Sequence, residues 1–410
     1  MVQRLEVCLI VPPRPYLLNQ KALPSLGVLL AGAVFKACGC NVKVLDFADG
    51  ERFEEADLYG VTCTTPDFDE AVKILRRIKD FNPKAKVIVG GPHATTAPLE
   101  CLKAGFDIVA SGDAEWTVPL ILQGFKGIIH GQTHSIDSYH PDRSLLDLWS
   151  YDFKVGSLRA TPLMTSRGCV WGKCAFCSRI ERGVRYHSVT YVVQELIEVS
   201  RLGFKAVAVY DDEFFTHPRR DREIVEALAD RGFIWRCFGR SDFILKSAEI
   251  VEAAARGGLV EVLLGVESGD DTILETIEKG ITVEQNVEAI RLLHSLGVRV
   301  KAAMIVGLPG ESEETLRNTE RFCEQVAPFV SDWDFTILQV YPGSAIFNHP
   351  FRYDLNWTAS YEAYKGMYAE GWKPSPISTS KLSFEKLMEW RDRLEARFKK
   401  GWKPPFAKGW

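Results

Sequence analysis

The stretch TPLMTSRGCVWGKCAFCSR, residues Thr161–Arg179, decides how the rest of the chain is read. A short β-like run, PLMTS, passes into a loop that holds Cys169, Cys174 and Cys177 at spacing CxxxxCxxC. Toward the C-terminus the apolar run recurs as AVAVYDD, IWRCFG, VEVLLGVES, VRVKAAMIVGL and DWDFTILQV, with helical periodicity between the runs near 189–202, 219–231, 247–257, 283–296 and 312–326. Strands that alternate with amphipathic helices build a parallel sheet covered by its own crossovers. Six β/α units are too few to close an eight-unit barrel, so the expected architecture over residues 159–345 is a partial (β/α)6 TIM-type barrel with a laterally open mouth.

Toward the N-terminus the same alternation appears in a separate block. EVCLIVPP, NVKVLD, DLYGVTC, KVIVGG and DIVAS read as strands, and SLGVLLAGAVFKACG and DEAVKILRRIKDF read as helices, which predicts an α/β, Rossmann-like domain over residues 1–125. Its strands run into turn-forming loops: Pro12-Pro13-Arg14-Pro15, Thr62 to Pro66, Gly90-Gly91-Pro92-His93 and Ser111-Gly112-Asp113. In such sheets ligands sit beyond the carboxyl ends of the strands. No GxGxxG opens the first helix, which removes support for an ordinary dinucleotide site. Residues 126–158 read as a linker. Residues 346–410 read as a small, mostly helical C-terminal extension, whose GWKPSP, GWKPPF and KGW stretches are expected to pack against the barrel.

The 410 residues are 46% hydrophobic and 25% charged, a composition that excludes disordered and collagen-like chains. No apolar run is long enough for a membrane span or a leader, so a cytoplasmic protein with no membrane partner is expected. A net charge of -4 with both signs interspersed removes the bulk electrostatic case for nucleic acid. Among ten cysteines only the trio in the loop has ligand spacing, and Cys237 reads as a small buried hydrophobe of a strand. Three thiolates can hold three irons of a 4Fe-4S cluster and leave the fourth iron open. Two other readings of the trio stay open: a zinc site completed by a distant histidine, and a cluster closed by Cys237.

With Phe176 just before the third cysteine, Tyr210-Asp211-Asp212-Glu213 after the next strand, GVESG at 265–269 and GLPGE at 307–311, the second block resembles the radical S-adenosylmethionine superfamily. The stretches PSLGVLLAGAVFKACGCNVKVLD, VIVGGPHATTAPLE and FDIVASGDAEWT resemble the cobalamin-binding domain fused ahead of the barrel in one branch of it. The loop departs from that family's usual CxxxCxxC by one residue. Gly172 is expected to let the longer gap bulge, with Trp171 packing over the cluster or toward the first domain. The pattern DxHxxG, which would supply a histidine to cobalt, is absent.

The resemblance implies a site residue by residue. Phe176 would pack on the adenine, Asp212 and Glu213 would pair the methionine ammonium, and Arg240 and Ser241 would clamp its carboxylate. Glu267 and Ser268 would suit the ribose, and Gly307, Leu308, Pro309 and Gly310 would give close backbone approach to adenine. Asp212 and Glu213 also read as plain carboxylates before a helix N-terminus, and the glycines as plain turn residues. In the first domain Pro24, Ser25, Leu26 and Gly27 would run under the corrin, Thr64, Thr65 and Pro66 beside it, and Gly90, Gly91, Pro92 and His93 near the nucleotide tail. His93 reads as a loop hydrogen-bonding residue. Cobalamin would be base-off, with no protein histidine beneath the metal.

The activity implied is that of a cobalamin-dependent radical S-adenosylmethionine methyltransferase acting on an unactivated carbon. Its electron donor would be a protein such as flavodoxin or ferredoxin, and its substrate a small molecule or peptide. Rearrangement or cyclisation without methyl transfer, a barrel enzyme whose first domain has lost cobalamin, and a non-catalytic sensor of either cofactor stand as the alternatives.

Overall fold

The computed structural model describes residues 4–14, 17, 19–178, 180–181, 183–357 and 376–399. Pro15 and the Trp- and Lys-rich stretches 371–375, 401–406 and 408–410 lie outside the described residues. Contacts divide the chain into a unit ending at Phe153 and a unit beginning at Lys154.

The first unit is a six-stranded sheet of β1 (Glu6–Val11), β2 (Asn41–Asp46), β3 (Leu58–Thr62), β4 (Lys86–Gly90), β5 (Ile108–Gly112) and β6 (Gly127–Gly131), in the order β2-β1-β3-β4-β5-β6. Every neighbouring pair is parallel. The helices are α1 (Leu26–Ala37), α2 (Phe68–Phe81), α3 (Pro92–Thr96), α4 (Pro98–Lys103) and α5 (Ala114–Leu122). Val7, Leu9 and Val11 of β1 join Val28, Val34 and Phe35 of α1 and Val118 and Ile121 of α5 in one core. Cys8 and Ile10 of β1, also buried, point to the opposite face because side chains alternate along a strand. The order reverses between β1 and β3, which puts the crevice of this sheet at the carboxyl ends of those two strands.

One expectation needs correction. Residues 127–131, read as part of a linker, pair with β5 as the sixth strand, and Arg143, Leu148 and Tyr151 beyond them are buried in the same unit. Tyr151 donates its hydroxyl to Asp46, and Asp142 N donates to Leu29 O (3.1 Å). GIIHG is too short and too glycine-flanked to carry a strand pattern by itself, and its pairing comes from β5.

The second unit opens with β7 (Lys154–Val155), which pairs antiparallel to β8 (Leu158–Leu163), and a small ribbon of β9 (Ser166–Arg167) and β10 (Arg185–Tyr186) follows. Then come β11 (Ala206–Val209), β12 (Ile234–Gly239), β13 (Leu259–Glu267), β14 (Arg299–Val306) and β15 (Asp332–Ile337). The sheet order is β15-β14-β13-β12-β11-β8-β7, so six parallel strands form the partial barrel and β7 flanks it. The helices are α6 (Val189–Arg201), α7 (Pro218–Asp230), α8 (Ser241–Lys246), α9 (Ala248–Arg256), α10 (Asp271–Thr276), α11 (Val283–Ser295), α12 (Glu313–Val326), α13 (Ala345–Asn348) and α14 (Phe384–Phe398).

Local signals start several of these helices. Ser188 caps α6, and Thr282 with Gln285 and Ser312 with Thr315 close reciprocal capping boxes on α11 and α12. Helix α14 lies on β15, burying Leu387, Trp390 and Leu394, while its Arg393 and Arg397 clamp the Glu320 carboxylate of α12 at 2.6–3.0 Å. Among the described residues no helix is long and apolar enough to cross a membrane.

Candidate active site

The cysteine loop leaves β8 and is tied down along its length. Asp211, just past β11, accepts from Thr165 N (2.5 Å) and Oγ1 (2.5 Å) and from Ser166 N (3.1 Å) and Oγ (2.9 Å). Burial still pushes its carboxyl up to about 6. Arg220 of α7 binds Thr165 O and His187 O behind it. Further on, Ala175 N donates to Ile277 O (2.8 Å), Ile346 N to Ala175 O (3.1 Å) and Ser178 Oγ to Pro342 O (2.5 Å). Gly172 turns the long gap with φ +54°, a conformation that favours glycine.

The three cysteines therefore sit on a held loop. Burial pushes all three thiols up, Cys177 to about 12, and Cys174 and Cys169 add to the shift of Cys177. A thiol in that condition becomes a thiolate when a metal takes the place of the proton. Cys169 Sγ lies 3.8 Å from Glu213 Oε2. Among the described residues no three His, Cys, Asp or Glu side chains close on the position of a single ion. Cys237 lies fully buried inside β12.

Around the loop the strand ends bring opposite charges together. Arg240 follows β12, is 5% exposed, and stacks its guanidinium 4.5 Å from the centroid of the Trp171 ring. Its Nε stands 2.7 Å from Asp242 Oδ1, and its Nη2 is buried without a hydrogen-bond partner. Glu213 follows β11, and its Oε1 is equally buried and unpartnered. Burial drives this carboxyl up to about 8, against the opposing pull of Arg240 and Lys279.

Glu267 ends β13 at a register shift with φ +67° and accepts from Lys279 Nζ at 2.8 Å. A non-glycine residue held in that region costs about 1–3 kcal/mol and clusters at functional sites. Burial works against the Lys279 ammonium, but the Glu267 carboxylate beside it holds its pKa above the ordinary value. Lys279 Nζ also stands 5.9 Å from the centroid of the Phe176 ring. Asp212 is exposed at the same end of the barrel.

Other expected residues have partners within the chain. Ser241 Oγ donates to Asn286 Oδ1 (2.6 Å), and Ser268 Oγ lies 3.3 Å from Thr319 Oγ1 and accepts from Asp270 N (3.2 Å). Gly307 N donates to Glu311 Oε2 (2.6 Å), so the GLPGE loop is a turn closed by its own glutamate, with Gly307 and Gly310 at φ +92° and +83° and Pro309 between them. Sequence reasoning missed Asp211 as the anchor of the cysteine loop, and it missed Lys279 and Glu311. Tyr210-Asp211-Asp212-Glu213 carried the first as one acid among three. Nothing about a lysine in TIEKGIT marks it as buried.

In the first unit the predicted residues lie at the carboxyl ends of the strands. Ser25 caps α1 through its carbonyl, which accepts from Leu29 N (3.2 Å), with no side-chain bond to the helix; no acid occupies the first turn, and Gly27 is exposed with nothing within 4 Å of where a Cβ would stand. Pro24 is buried and Leu26 half-buried. Thr64 N donates to Asp67 Oδ1 (2.5 Å), and Thr65 Oγ1 lies 3.1 Å from His93 Nδ1. Pro66 is half-buried beside them. His93 is fully buried, its ring centroid 4.2 Å from that of Phe68 and tilted by 35°, with Nε2 3.4 Å from Glu100. Gly90 ends β4, and Gly91 (φ +101°) passes so close to β3 that a Cβ would stand 2.9 Å from Cys63 O before Pro92 opens α3.

These features suit three groups. Three sulfur donors on one tied loop fit an iron–sulfur cluster. The buried, unpartnered Arg240 Nη2 and Glu213 Oε1 fit a ligand that carries both a carboxylate and an ammonium, as the methionine moiety of S-adenosylmethionine does. In the first unit, Gly27 at the start of α1 and the switch in strand order between β1 and β3 mark the strand ends where such a sheet takes its ligand, which fits cobalamin there.

Known proteins carry the same pairing of parts. The Radical SAM superfamily profile matches residues 163–323, and the B12 binding domain profile matches residues 20–122. An uncharacterized methyltransferase of Pyrococcus horikoshii is 26% identical over 402 residues, covering 88% of this chain and 86% of that protein. The anaerobic magnesium-protoporphyrin IX monomethyl ester cyclase of Rubrivivax gelatinosus is 28% identical over 311 residues, covering 68% of this chain and 56% of that longer protein. The radical S-adenosylmethionine methyltransferase TsrM of Kitasatospora setae, solved with cobalamin and a 4Fe-4S cluster, superposes with a TM-score of 0.68 at 16% identity over 96% of this chain and 89% of that one. A B12-binding domain ahead of a partial barrel with a three-cysteine loop implies cobalamin, a 4Fe-4S cluster and S-adenosylmethionine, and the chain belongs to the cobalamin-dependent radical S-adenosylmethionine enzymes.

Proposed function

We propose that the protein moves a methyl group from S-adenosylmethionine by way of cobalamin to an unactivated carbon of a small molecule or peptide. The observation that carries this reading is the orphaned pair Arg240 Nη2 and Glu213 Oε1 beside the cysteine loop, in a chain that also holds a B12-binding domain. The methyltransferase relative that covers 88% of the chain favours methyl transfer over other outcomes. When bound, the cluster supplies the electron that splits S-adenosylmethionine, and cobalamin supplies a cobalt able to carry the methyl group.

The chain's own residues hold and orient. Cys169, Cys174 and Cys177 ligate the cluster. Arg240 takes the methionine carboxylate, Glu213 with Asp212 takes the ammonium, and Glu267, held by Lys279, takes the ribose hydroxyls. Phe176 covers the adenine. In the first unit, backbone and small side chains at Pro24–Gly27, Thr64–Pro66 and Gly90–Pro92 carry cobalamin base-off, because His93 is buried against Thr65, Phe68 and Glu100 and no DxHxxG replaces it. A cytoplasmic location suits ten free thiols and a flavodoxin or ferredoxin as electron donor.

The second reading is cyclisation or rearrangement without methyl transfer, favoured by the likeness to the magnesium-protoporphyrin cyclase. Anaerobically reconstituted protein, incubated with reductant, cobalamin and methyl-labelled S-adenosylmethionine, separates the two. Methyl transfer predicts labelled product with both S-adenosylhomocysteine and 5'-deoxyadenosine. Release of 5'-deoxyadenosine with no label in any product supports the second reading and overturns the first.

A further inference from the structure

The first gap of the cysteine motif holds four residues, and its tryptophan makes contacts that tie separate parts of the barrel mouth together. Trp171 Nε1 donates to Glu278 O at 2.9 Å. Its six-membered ring lies on Gly280, where a Cβ would stand 2.1 Å from Cζ2 and 2.3 Å from Cη2, so only glycine admits the indole. On the ring the Arg240 guanidinium sits 4.5 Å from the centroid, and the Lys173 ammonium lies 5.0 Å away. The turn that receives the indole is unusual in itself: Glu278 and Gly280 both have positive φ, +54° and +68°, and Lys279 lies between them. One residue earlier, Ile277 O accepts from Ala175 N (2.8 Å), so the cysteine loop grips this turn at two points.

Lys279 is the buried cation that holds Glu267. The pair packs against Gly265, where a Cβ would stand 2.8 Å from Glu267 Oε1 and 3.0 Å from Lys279 Nζ. A shift of the 278–280 turn therefore moves Lys279, and with it the Glu267 carboxylate. A guanidinium on an aromatic face is oriented as well as attracted, and the attraction grows when water is excluded.

We propose that Trp171 is a positioning residue that couples the cysteine loop to two of the S-adenosylmethionine-binding groups, to Arg240 through its ring face and to Glu267 through the Glu278–Gly280 turn and Lys279. The inference rests on the reading of Arg240 and Glu267 as ligands of S-adenosylmethionine. It also gives the lengthened gap a purpose: the loop that carries the iron ligands reaches out and sets the groups that hold the co-substrate. Order in the cysteine loop then favours order in the binding site.

The test uses full-length, anaerobically reconstituted protein, with iron content, S-adenosylmethionine affinity by equilibrium dialysis, and the change in the reduced cluster's EPR spectrum on adding S-adenosylmethionine as readouts. Trp171→Ala is expected to keep its iron and lose about tenfold in affinity, with a smaller spectral change, and Trp171→Phe should recover part of both because a ring remains for Arg240. Gly280→Ala approaches the contact from the other side. It should weaken affinity more in the Trp171 background than in the Trp171→Ala background, where no indole remains to be displaced and only the backbone cost of alanine at φ +68° is left.

Iron-loaded Trp171→Ala with unchanged affinity and spectrum overturns the proposal, and so does a Gly280→Ala effect of equal size in both backgrounds. If Trp171→Ala fails to load iron, Gly280→Ala and Trp171→Phe decide by the same criteria. Iron-loaded wild-type protein that shows neither affinity nor spectral change brings down the underlying reading of the site. A binding wild type with indifferent variants sinks the coupling alone.

Discussion

The loops at the carboxyl ends of the two sheets are built from similar residues and are left in opposite electrostatic states. In the first unit Thr65 faces His93 and Asp67 accepts from Thr64, and the buried His93 Nε2, which makes no hydrogen bond, still has the Glu100 carboxylate 3.4 Å away. In the barrel, Arg240 and Glu213 are buried with polar atoms unmatched, and Glu267 is held in a strained conformation by Lys279. A buried polar or charged group without a partner is costly, and a fold keeps it where a ligand completes it. On the proposed reading, the barrel would recognise a small zwitterion at these unmatched atoms, while the first unit would offer shape and backbone to a large ring.

The largest effect that would break this contrast is loss of the cysteines. Replacing Cys169, Cys174 and Cys177 together by alanine is expected to abolish iron absorbance and S-adenosylmethionine cleavage while cobalamin binding persists. Iron retained in the triple variant would move the metal site elsewhere.

Next come the charges. Arg240→Ala and Glu267→Ala should each weaken S-adenosylmethionine binding by about 2–5 kcal/mol in titrations with iron content unchanged, as expected when one partner of a buried charged contact is removed. Equal affinity in both variants would mean that the barrel mouth does not read charge.

A smaller effect distinguishes the two units by pH. Glu311, closed into the GLPGE turn, has its carboxyl raised by burial from 4.5 to about 8. Between those values the folded chain keeps a proton that the unfolded chain has released, so stability falls as pH rises through that window, by at most about 1.4 kcal/mol per unit. Asp67 of the first unit, raised by burial from 3.8 to about 6, acts in the same direction over a lower and narrower range. Urea midpoints of the apoprotein across pH should show Glu311→Gln flattening the fall between pH 6 and 8 and Asp67→Asn flattening it only below. A Glu311→Gln profile parallel to that of the wild type would refute the buried, protonated carboxyl.

The smallest expected effect is none at all. His93→Ala should leave the EPR spectrum of bound cob(II)alamin unchanged, with no nitrogen splitting from an axial base before or after the substitution. Splitting that disappears in the variant would make His93 a cobalt ligand and end the contrast between a charged barrel site and a first unit that binds through shape.

Much of this architecture was legible in the residues. All six barrel strands carry alternating or fully apolar runs, as in β14 and β11, and α6, α7, α11 and α12 between them begin at caps or proline with clear periodicity. The short helices α8 and α10 and the strand β6 were not legible, because elements of five or six residues show too little periodicity and owe their form to the neighbours they pack on. Trp171 was expected over the cluster or toward the first domain. It lies instead on Gly280 and Arg240 of the barrel, and no local pattern links positions 171 and 280.

The sequence by itself determined the donor set, since three cysteines within nine residues are close whatever the chain does around them. It also determined the parallel α/β alternation of both units and the absence of DxHxxG, because these are properties of neighbouring residues. Only the tertiary structure decided which polar groups are already matched and which wait for a ligand. Ser241 meets Asn286 from 45 positions away, Ser268 meets Thr319 from 51, and Lys279 reaches back to Glu267 past the whole of α10, while Arg240 Nη2 and Glu213 Oε1 find no hydrogen-bond partner. A hydrogen-bond partner is chosen by distance in space, and burial sets what an unmet group costs; both quantities come into existence only when the strands have been brought side by side.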